Sequence, residues 1–385
     1  MVVNVEFLGE EPIENIITCM HYKVDKVIYF GYQDAIDMHK YKLPDYLKKY
    51  CGVEEVAFYT LKREDMQSIL SDMRDRIMCE KRIGNSVYFD ITGGDSLVLV
   101  SFGMLSKEFD TPMHMYDIVG DKLIEIEDGS LHTISQEVES QEVKFDIDKY
   151  IELMGGTVNY NMHKTIKGDD SPDFVEDIEK IWEVASKYRD FWNGFSMFLK
   201  SEPHAEKKSK DGKKIVNISQ IVHTSKKGFV QNNSEEIIKD LESSGIICDL
   251  QYDNNIYRFN YKSQAIKSCI WEGGSALELH TYFKVKNDCD DCRVGVHIDW
   301  DGIVNTSGFD VLNEIDVLAI KGNVPIFISC KSGKMESPQS LHALYELQTV
   351  CKRFGGKYAR KALVSMQAIG PFQQERAKEM GIEVW

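Results

Sequence analysis

The side chains best placed to do chemistry lie in Asn313–Lys334, NEIDVLAIKGNVPIFISCKSGK. Gly322-Asn323 between two β runs is a two-residue hairpin signal. With those residues as the loop, Lys321 pairs with Val324, Asp316 lies opposite Ser329, and Glu314 lies opposite Lys331. Side chains alternate faces along a strand, so Ile315, Val317, Ala319, Val324, Ile326, Ile328 and Cys330 form a core face. The other face has Leu318 and Phe327 near the turn and gathers Glu314, Asp316, Ser329 and Lys331 beyond them. Carboxylates on one strand beside a lysine on the next suit a hard cation and a phosphate or attacking water. A further carboxylate must come from elsewhere, and Glu278 on an expected helix, Ser275–Phe283, can supply it. Two carboxylates ~5 Å apart repel by roughly 3 kcal/mol at an effective dielectric of 20, so such a cluster wants a cation. The plain alternative is a surface ion pair, Glu314 to Lys331, worth ~0.2–1 kcal/mol. It leaves Asp316 on the same face unexplained.

These residues belong to a back region, 263–385, that reads helix, three strands, helix, strand, helix, strand. The front region, 1–150, alternates short β runs with helices: Val2–Phe7, Lys26–Phe30, Glu55–Tyr59, Ser86–Ile91 and Met113–Tyr116 are β. That alternation indicates an α/β fold with a parallel, doubly wound sheet. A hairpin turning at Asp128-Gly129 is expected to follow. Asp34–Lys49 reads as one helix broken at Pro44, and Phe174–Leu199 as one helix rich in Trp and Phe. Between front and back, residues 151–262 give helix, helix and a hairpin turning at Asp253-Asn254-Asn255, a small winged-helix-like outline. Its second helix carries Glu235, Glu236, Asp240 and Glu242 against Lys239, a poor surface for a DNA groove. A connecting module is the expectation there.

In a Rossmann-type strand order 3-2-1-4-5 the ligand crevice lies beyond the carboxyl ends of strands 1 and 4. The loops leaving those strands are Leu8-Gly9-Glu10-Glu11-Pro12 and Thr92-Gly93-Gly94-Asp95-Ser96. Two glycines let a backbone approach a phosphate, and the helix start that follows offers unpaired N–H groups. Thr92 and Ser96 add hydroxyls. A tight strand-to-helix turn would also explain Gly93-Gly94. The dinucleotide fingerprint GxGxxG is absent, as are GxSxG, HExxH and GxxxxGK[ST], so NAD, serine-hydrolase, zincin and P-loop chemistries have no motif. Cys289-Asp290-Asp291-Cys292 is a lone CxxC without a second ligand pair and reads as a loop. His297 and Asp299 alternate with Val294, Val296 and Ile298, which places them toward solvent or the rim of a site.

Taken together, Glu278, Asp316, the hairpin into Ser329-Cys330-Lys331 and the helix Ser340–Arg353 resemble the PD-(D/E)xK restriction-endonuclease-like core. The resemblance implies that Asp316 and Glu278 bind Mn²⁺ or Mg²⁺, that Cys330 adds its main-chain carbonyl, and that Lys331 helps activate water. Ser329 stands where that core has an acid. Either Ser329 binds metal weakly or through water, or Glu314 substitutes from the same face, or activity is lost. The acidic loop LGEEPIENI and the segment DITGGDS are similar to CARF sensor domains of type III CRISPR ancillary proteins. The order of sensor, middle module and nuclease core resembles their dimeric CARF–nuclease effectors over nearly the whole chain. This resemblance implies a homodimer that binds cyclic tetra-adenylate through Gly9, Glu10, Glu11, Pro12, Asn15, Thr92, Gly93, Gly94, Asp95 and Ser96. It also implies metal-dependent cleavage of single-stranded RNA or DNA, or nicking of duplex. Asp95-Ser96 stands where the family often has Thr-Lys.

Charge and composition fit that division. The chain has 385 residues and a net charge of −16. Residues 1–160 carry a net of −14 and residues 321–385 a net of +5, so a polymeric polyanion is expected to meet the back end. Nine scattered cysteines suit reduced thiols better than a disulfide framework. Met1 leads straight into VVNVEF with no basic n-region and no apolar run reaches ~18 residues, so a cytoplasmic chain with no membrane segment is expected. The reading from another class is a ligand-sensing transcription regulator that uses the winged-helix-like module, with a degenerate nuclease core.

Overall fold

Apolar β runs that must be buried on both faces need helices on both sides. The computed structural model meets that need twice, in two units. It describes the chain except residues 63–64, 128–129, 134–142, 161–170, 203–205, 209–213, 217, 302–311 and 336–338. The first unit comprises Met1–Gly155 with Gly322–Val324 and Gly356–Tyr358; the second comprises Gly156–Lys321, Pro325–Gly355 and Ala359–Trp385.

The first unit runs β1 (Val2–Leu8), α1 (Ile17–His21), β2 (Lys26–Gly31), α2 (Gln33–His39), α3 (Lys42–Cys51), β3 (Glu55–Thr60), α4 (Met66–Arg82), β4 (Ser86–Asp90), α5 (Ser96–Phe109), β5 (Met113–Asp117), β6 (Lys122–Glu127), β7 (Ser130–Thr133) and α6 (Ile147–Leu153). Its sheet has the order β3-β2-β1-β4-β5-β6-β7. Strands β1 to β5 pair in parallel, while β6 and β7 return antiparallel. The strand order places the carboxyl ends of β1 and β4 side by side, as anticipated. The expected turn at 128–129 lies outside the described residues, although Glu127 and Ser130 on either side are paired. The expected break in Asp34–Lys49 falls between α2 and α3; Pro44 lies inside the first turn of α3, where a missing N–H costs nothing. One face of the sheet packs Val3, Val5, Phe7, Ile28 and Phe30 against Ile69, Met73 and Ile77 of α4 and Val98, Phe102 and Leu105 of α5.

The second unit runs β8 (Thr157–Val158), α7 (Pro172–Lys187), α8 (Trp192–Ser201), β9 (Glu206–Lys208), β10 (Lys214–Val216), β11 (Ser219–His223), α9 (Lys227–Gln231), α10 (Ser234–Ser243), β12 (Ile247–Asp253), β13 (Ile256–Tyr261), α11 (Gln264–Trp271), α12 (Ser275–Val285), β14 (Asp291–Asp299), β15 (Leu312–Lys321), β16 (Val324–Lys331), α13 (Gln339–Phe354), β17 (Arg360–Ser365), α14 (Pro371–Glu379) and β18 (Ile382–Val384). The single long helix expected over Phe174–Leu199 is two helices. The sheet β11-β13-β12 with α9 and α10 has the winged-helix arrangement. Two of the four acids of α10 are spent locally, Glu235 on Lys239 at 2.6 Å and Asp240 on Lys187 at 2.5 Å. The larger sheet has the order β18-β17-β16-β15-β14-β8. Its core face, with Val294, Val317, Ala319, Ile326, Ile328 and Cys330, shares a buried cluster with α7, α8, α11 and α12. Among the described residues no helix is long and apolar enough to cross a membrane.

Candidate active site and ligand loops

Strands β15 and β16 are joined by the two-residue turn Gly322-Asn323. Gly322 has φ +59°, the left-handed region such a turn requires. Two strands so tightly joined bring Asp316 against the end of β16. Asp316 Oδ2 accepts from Cys330 N at 2.6 Å and Ser329 Oγ at 3.2 Å, and Lys331 Nζ stands 3.8 Å away. Burial pushes the Asp316 carboxyl above its ordinary range; Lys331 and the two hydrogen bonds pull it down, and Glu314 pushes it up. A half-buried carboxylate repelled by another acid gains from a cation.

Glu278 lies in the first turn of α12. Its Oε1 and Ser332 Oγ both approach the backbone at Gly274, at 3.1 and 3.7 Å from where a Cβ would stand. Burial pushes the Cys330 thiol up, and the carboxylates of Asp316 and Glu278 both add to that rise. Asp316, Glu278 and Lys331 are thus gathered around the end of β16. The donors present, two carboxylates and the Cys330 carbonyl, have the hard-oxygen chemistry that Mg²⁺ and Mn²⁺ take. Among the described residues no three His, Cys, Asp or Glu side chains converge as a closed cage would.

Glu314 projects from β15 two residues before Asp316, beside its register partner His297 on β14, with Oε2 3.6 Å from His297 Nε2. The sequence reading placed His297 and Asp299 toward solvent or the rim, but they are 8 % and 1 % exposed. His297 Nδ1 lies 3.1 Å from Gly295 O. Strict alternation on β14 puts both on the Glu314 face, and burial there comes from the neighbouring strands, which a single-strand pattern cannot show. Ser332 is the other neighbour the sequence reading missed.

In the first unit the loop after β1 is braced from inside. Gly9 N donates to Asn15 Oδ1 at 3.2 Å, and Asn15 Nδ2 reaches Gly9 O and Glu11 O at 3.5 and 3.4 Å. Asn15 and Pro12 are buried, while Glu10 is exposed. Glu11 Oε1 accepts from Lys357 N at 3.1 Å. Glu14, which the sequence reading passed over, takes Lys357 Nζ and the Tyr358 hydroxyl. A Cβ at Gly93 would meet Glu14 Oε2 at 2.3 Å, so this glycine lets the two loops touch.

The second loop is held by Asp90, also unpredicted. Asp90 Oδ1 accepts from Thr92 N at 2.8 Å and Thr92 Oγ1 at 2.5 Å, and Thr92 Oγ1 accepts from Tyr116 N at 2.8 Å. Burial alone would raise Asp90; His114 and the hydroxyls of Thr18 and Thr92 outweigh it and hold the carboxyl below its usual value. Asp95 caps α5 through Leu97 N at 2.9 Å. Gly94 has φ +147°, and Gly94 and Ser96 are exposed. Of the expected ligand residues, Thr92 and Asn15 spend their polar groups on the loops, whereas Glu10, Gly94 and Ser96 face outward.

Residues 268–385 match the family model described as Card1-like, endonuclease domain. Protein VC1899 from Vibrio cholerae has a similar structure, with a TM-score of 0.71 at 17% identity, over 100% of this chain and 93% of that one. Can2 from Sulfobacillus thermosulfidooxidans, solved with cyclic tetra-adenylate, has a TM-score of 0.66 at 13% identity, over 100% and 93%. A type III CRISPR defence DNA nuclease activated by cyclic oligoadenylate has a TM-score of 0.52 at 11% identity; this chain covers 50% of it. No curated protein sequence matches the chain significantly. Residues 268–385 match a Card1-like endonuclease domain, and the chain as a whole has the fold of protein VC1899 and of Can2.

Proposed function

We propose that the chain is a cyclic-oligoadenylate-activated, divalent-metal-dependent endonuclease of type III CRISPR antiviral defence. The carrying observation is Asp316, held by Ser329, Cys330 and Lys331 within the Card1-like endonuclease domain. In this reading residues 1–150 sense the ligand, 151–262 connect, and 263–385 cleave. Can2 was solved with cyclic tetra-adenylate, which supports that ring as activator, met by the outward groups of the 8–12 and 92–96 loops of a homodimer. Asp316, Glu278 and the Cys330 carbonyl would hold Mn²⁺ or Mg²⁺, and a bound divalent ion lowers the pKa of water and polarises a phosphoryl oxygen. Lys331 has its ammonium near Asp316, where it can meet a scissile phosphate and hold a water for attack. With Ser329 in place of an acid, Glu314 supplies further negative charge from the same face. The substrate is single-stranded RNA or DNA, or duplex that is nicked. Digestion of plasmid and single-stranded RNA with Mn²⁺, with and without cyclic tetra-adenylate, tests this. Ligand-dependent cleavage lost in Asp316→Ala is expected; tight, sequence-selective, metal-free binding of duplex DNA would instead indicate a regulator.

A further inference from the structure

The first turn of α8 lies in the connecting module, yet it meets loops at the catalytic end of the larger sheet. Trp192, fully buried, donates through Nε1 to Gly273 O at 3.0 Å. Gln367, just past the end of β17, donates through Nε2 to Arg189 O at 3.2 Å. Between these two anchors stands Asn193. A Cβ at Gly273 would be 2.6 Å from Asn193 Oδ1, and a Cβ at Gly333 would be 3.5 Å from Asn193 Nδ2. Gly273 leads into α12, which carries Glu278, and Gly333 follows Lys331 by two residues. The amide is therefore wedged between the loop of the carboxylate and the loop of the lysine.

The wedge fixes this amide without using it. Among the described residues the Asn193 side chain makes no hydrogen bond: Oδ1 is buried without a partner, and the half-buried side chain keeps its Nδ2 end toward solvent beside Gly333. Turning the amide over would bury two unpaired N–H groups in place of one carbonyl oxygen, so the donor end faces out. Ser332, between Lys331 and Gly333, has no hydrogen-bond partner for its hydroxyl among the described residues either. Its Oγ stands 3.7 Å from where a Cβ would be at Gly274, beside Gly273. Polar groups held in place by packing, with their donors unspent, are preorganised for a ligand.

The donors say what kind of ligand. Asn193 Nδ2, Ser332 Oγ and the Lys331 ammonium all donate, and Gly273, Gly274 and Gly333 put no side chain in front of them. Asparagine amides, serine hydroxyls and lysines grip the phosphate oxygens of a nucleic-acid strand without reading its bases. Glu278 and Asp316 close by would repel a bare phosphate, and the divalent ion of the nuclease reading offsets that repulsion.

We propose that Asn193, together with Ser332, holds the phosphate next to the scissile one, so that the connecting module supplies part of the substrate site. Asn193 is then a substrate-positioning residue, and this assignment rests on the nuclease reading.

Single-turnover cleavage of labelled DNA and RNA strands of one sequence, with Mn²⁺, cyclic tetra-adenylate and rising concentrations of the full chain, tests it. The half-saturating protein concentration reports strand binding separately from the maximal rate. Asn193→Ala should raise that concentration by about tenfold on both strands, the loss of a hydrogen bond to a charged group. Asn193→Asp keeps the shape and turns an acid toward the phosphate, and should raise it by about tenfold more. Because Asn193→Ala gives up no hydrogen bond within the fold, it should melt within roughly 2 °C of the parent and leave the Mn²⁺ titration unchanged. A lower melting temperature with a raised Mn²⁺ requirement and unaltered half-saturation would make Asn193 only a brace for the Glu278 loop, and would overturn the proposal. So would a loss confined to RNA, which would place the contact on the 2′-hydroxyl. A parent that cleaves while Asn193→Ala and Asn193→Asp both match it sinks this inference alone; a parent that cleaves neither strand sinks the nuclease reading with it.

Discussion

Replacing Asp316 by Asn and by Ala separates chemistry from folding at the end of β16. In Asp316→Ala the Cys330 N–H loses its acceptor at 2.6 Å and the Ser329 hydroxyl loses one at 3.2 Å. A buried donor left unsatisfied costs about 1–3 kcal/mol. The Lys331 contact at 3.8 Å adds little, because that side chain is 33% exposed. For a unit of this size each kcal/mol moves Tm by roughly 2–4 °C, so Ala should lower it by roughly 2–12 °C. Asn keeps a carbonyl oxygen for Cys330 N and should stay within roughly 4 °C of the parent. Both variants should lose at least about a hundredfold in cleavage, since even partners outside the ligand set cost 10–100-fold at metal sites. The assay is single-turnover cleavage of labelled single strands with Mn²⁺ and cyclic tetra-adenylate, alongside thermal melts. Burial raises the folded-state pKa of Asp316, so its contribution is present below its unfolded pKa and is lost as pH rises through the folded value. Metal-free protein should therefore lose some stability across that window, and Asp316→Asn should flatten the loss. Cleavage within tenfold of the parent in Asp316→Asn would refute the reasoning.

Glu314→Gln should raise the Mn²⁺ needed for half-maximal rate while Ser329→Ala costs little; an unchanged titration would make Glu314 only a neighbour of His297. Gly93→Ala should destabilise the first unit and weaken cyclic tetra-adenylate binding, because the new Cβ meets Glu14 Oε2 at 2.3 Å. Removing that carboxylate in Gly93→Ala with Glu14→Ala should restore part of the melting temperature, and no recovery would show that the clash is not the cause. Glu202 is buried, which alone would raise its pKa, but Lys226 and His223 hold it below its usual value. Its contribution is present above its unfolded pKa and is lost as pH falls through the folded value. Glu202→Gln should therefore flatten the acid limb of stability, read by melts from about pH 6 to 3.

Much of the fold was legible because period-2 and period-3.6 patterns are local. The Gly322-Asn323 hairpin and the parallel β1–β4 neighbours follow from short segments, and so does the meeting of Asp316 with Ser329 and Lys331. What was not legible depends on residues far apart. Asp90 clamps Thr92 only because α1 and β5 close over it, and Glu14 matters only because Lys357 and Tyr358, over 340 positions later, reach it. His297 read as facing solvent or the rim of the site, because alternation names a face but not what covers it. Pro44 looked like a break because a proline's cost depends on its turn within a helix, which spacing alone does not give.

Strand β8 has a bearing on how this protein can be made in pieces. Thr157 and Val158 pair with Asp299 and Ile298, and Asn159 N donates to His297 O at 2.8 Å. The sheet that carries the endonuclease match at 268–385 therefore borrows its edge from a segment more than a hundred residues upstream. A fragment cut at the start of that match would bare β14, with its free N–H and C=O groups open to a second copy. It would also strip α7 from the buried cluster it shares with α12. During synthesis the edge must wait for β14 to emerge, a long loop closure that slows completion of the sheet. An excised nuclease fragment that aggregates would report this borrowed edge rather than a defect in the catalytic face, and a fragment meant to be soluble should begin before Gly156.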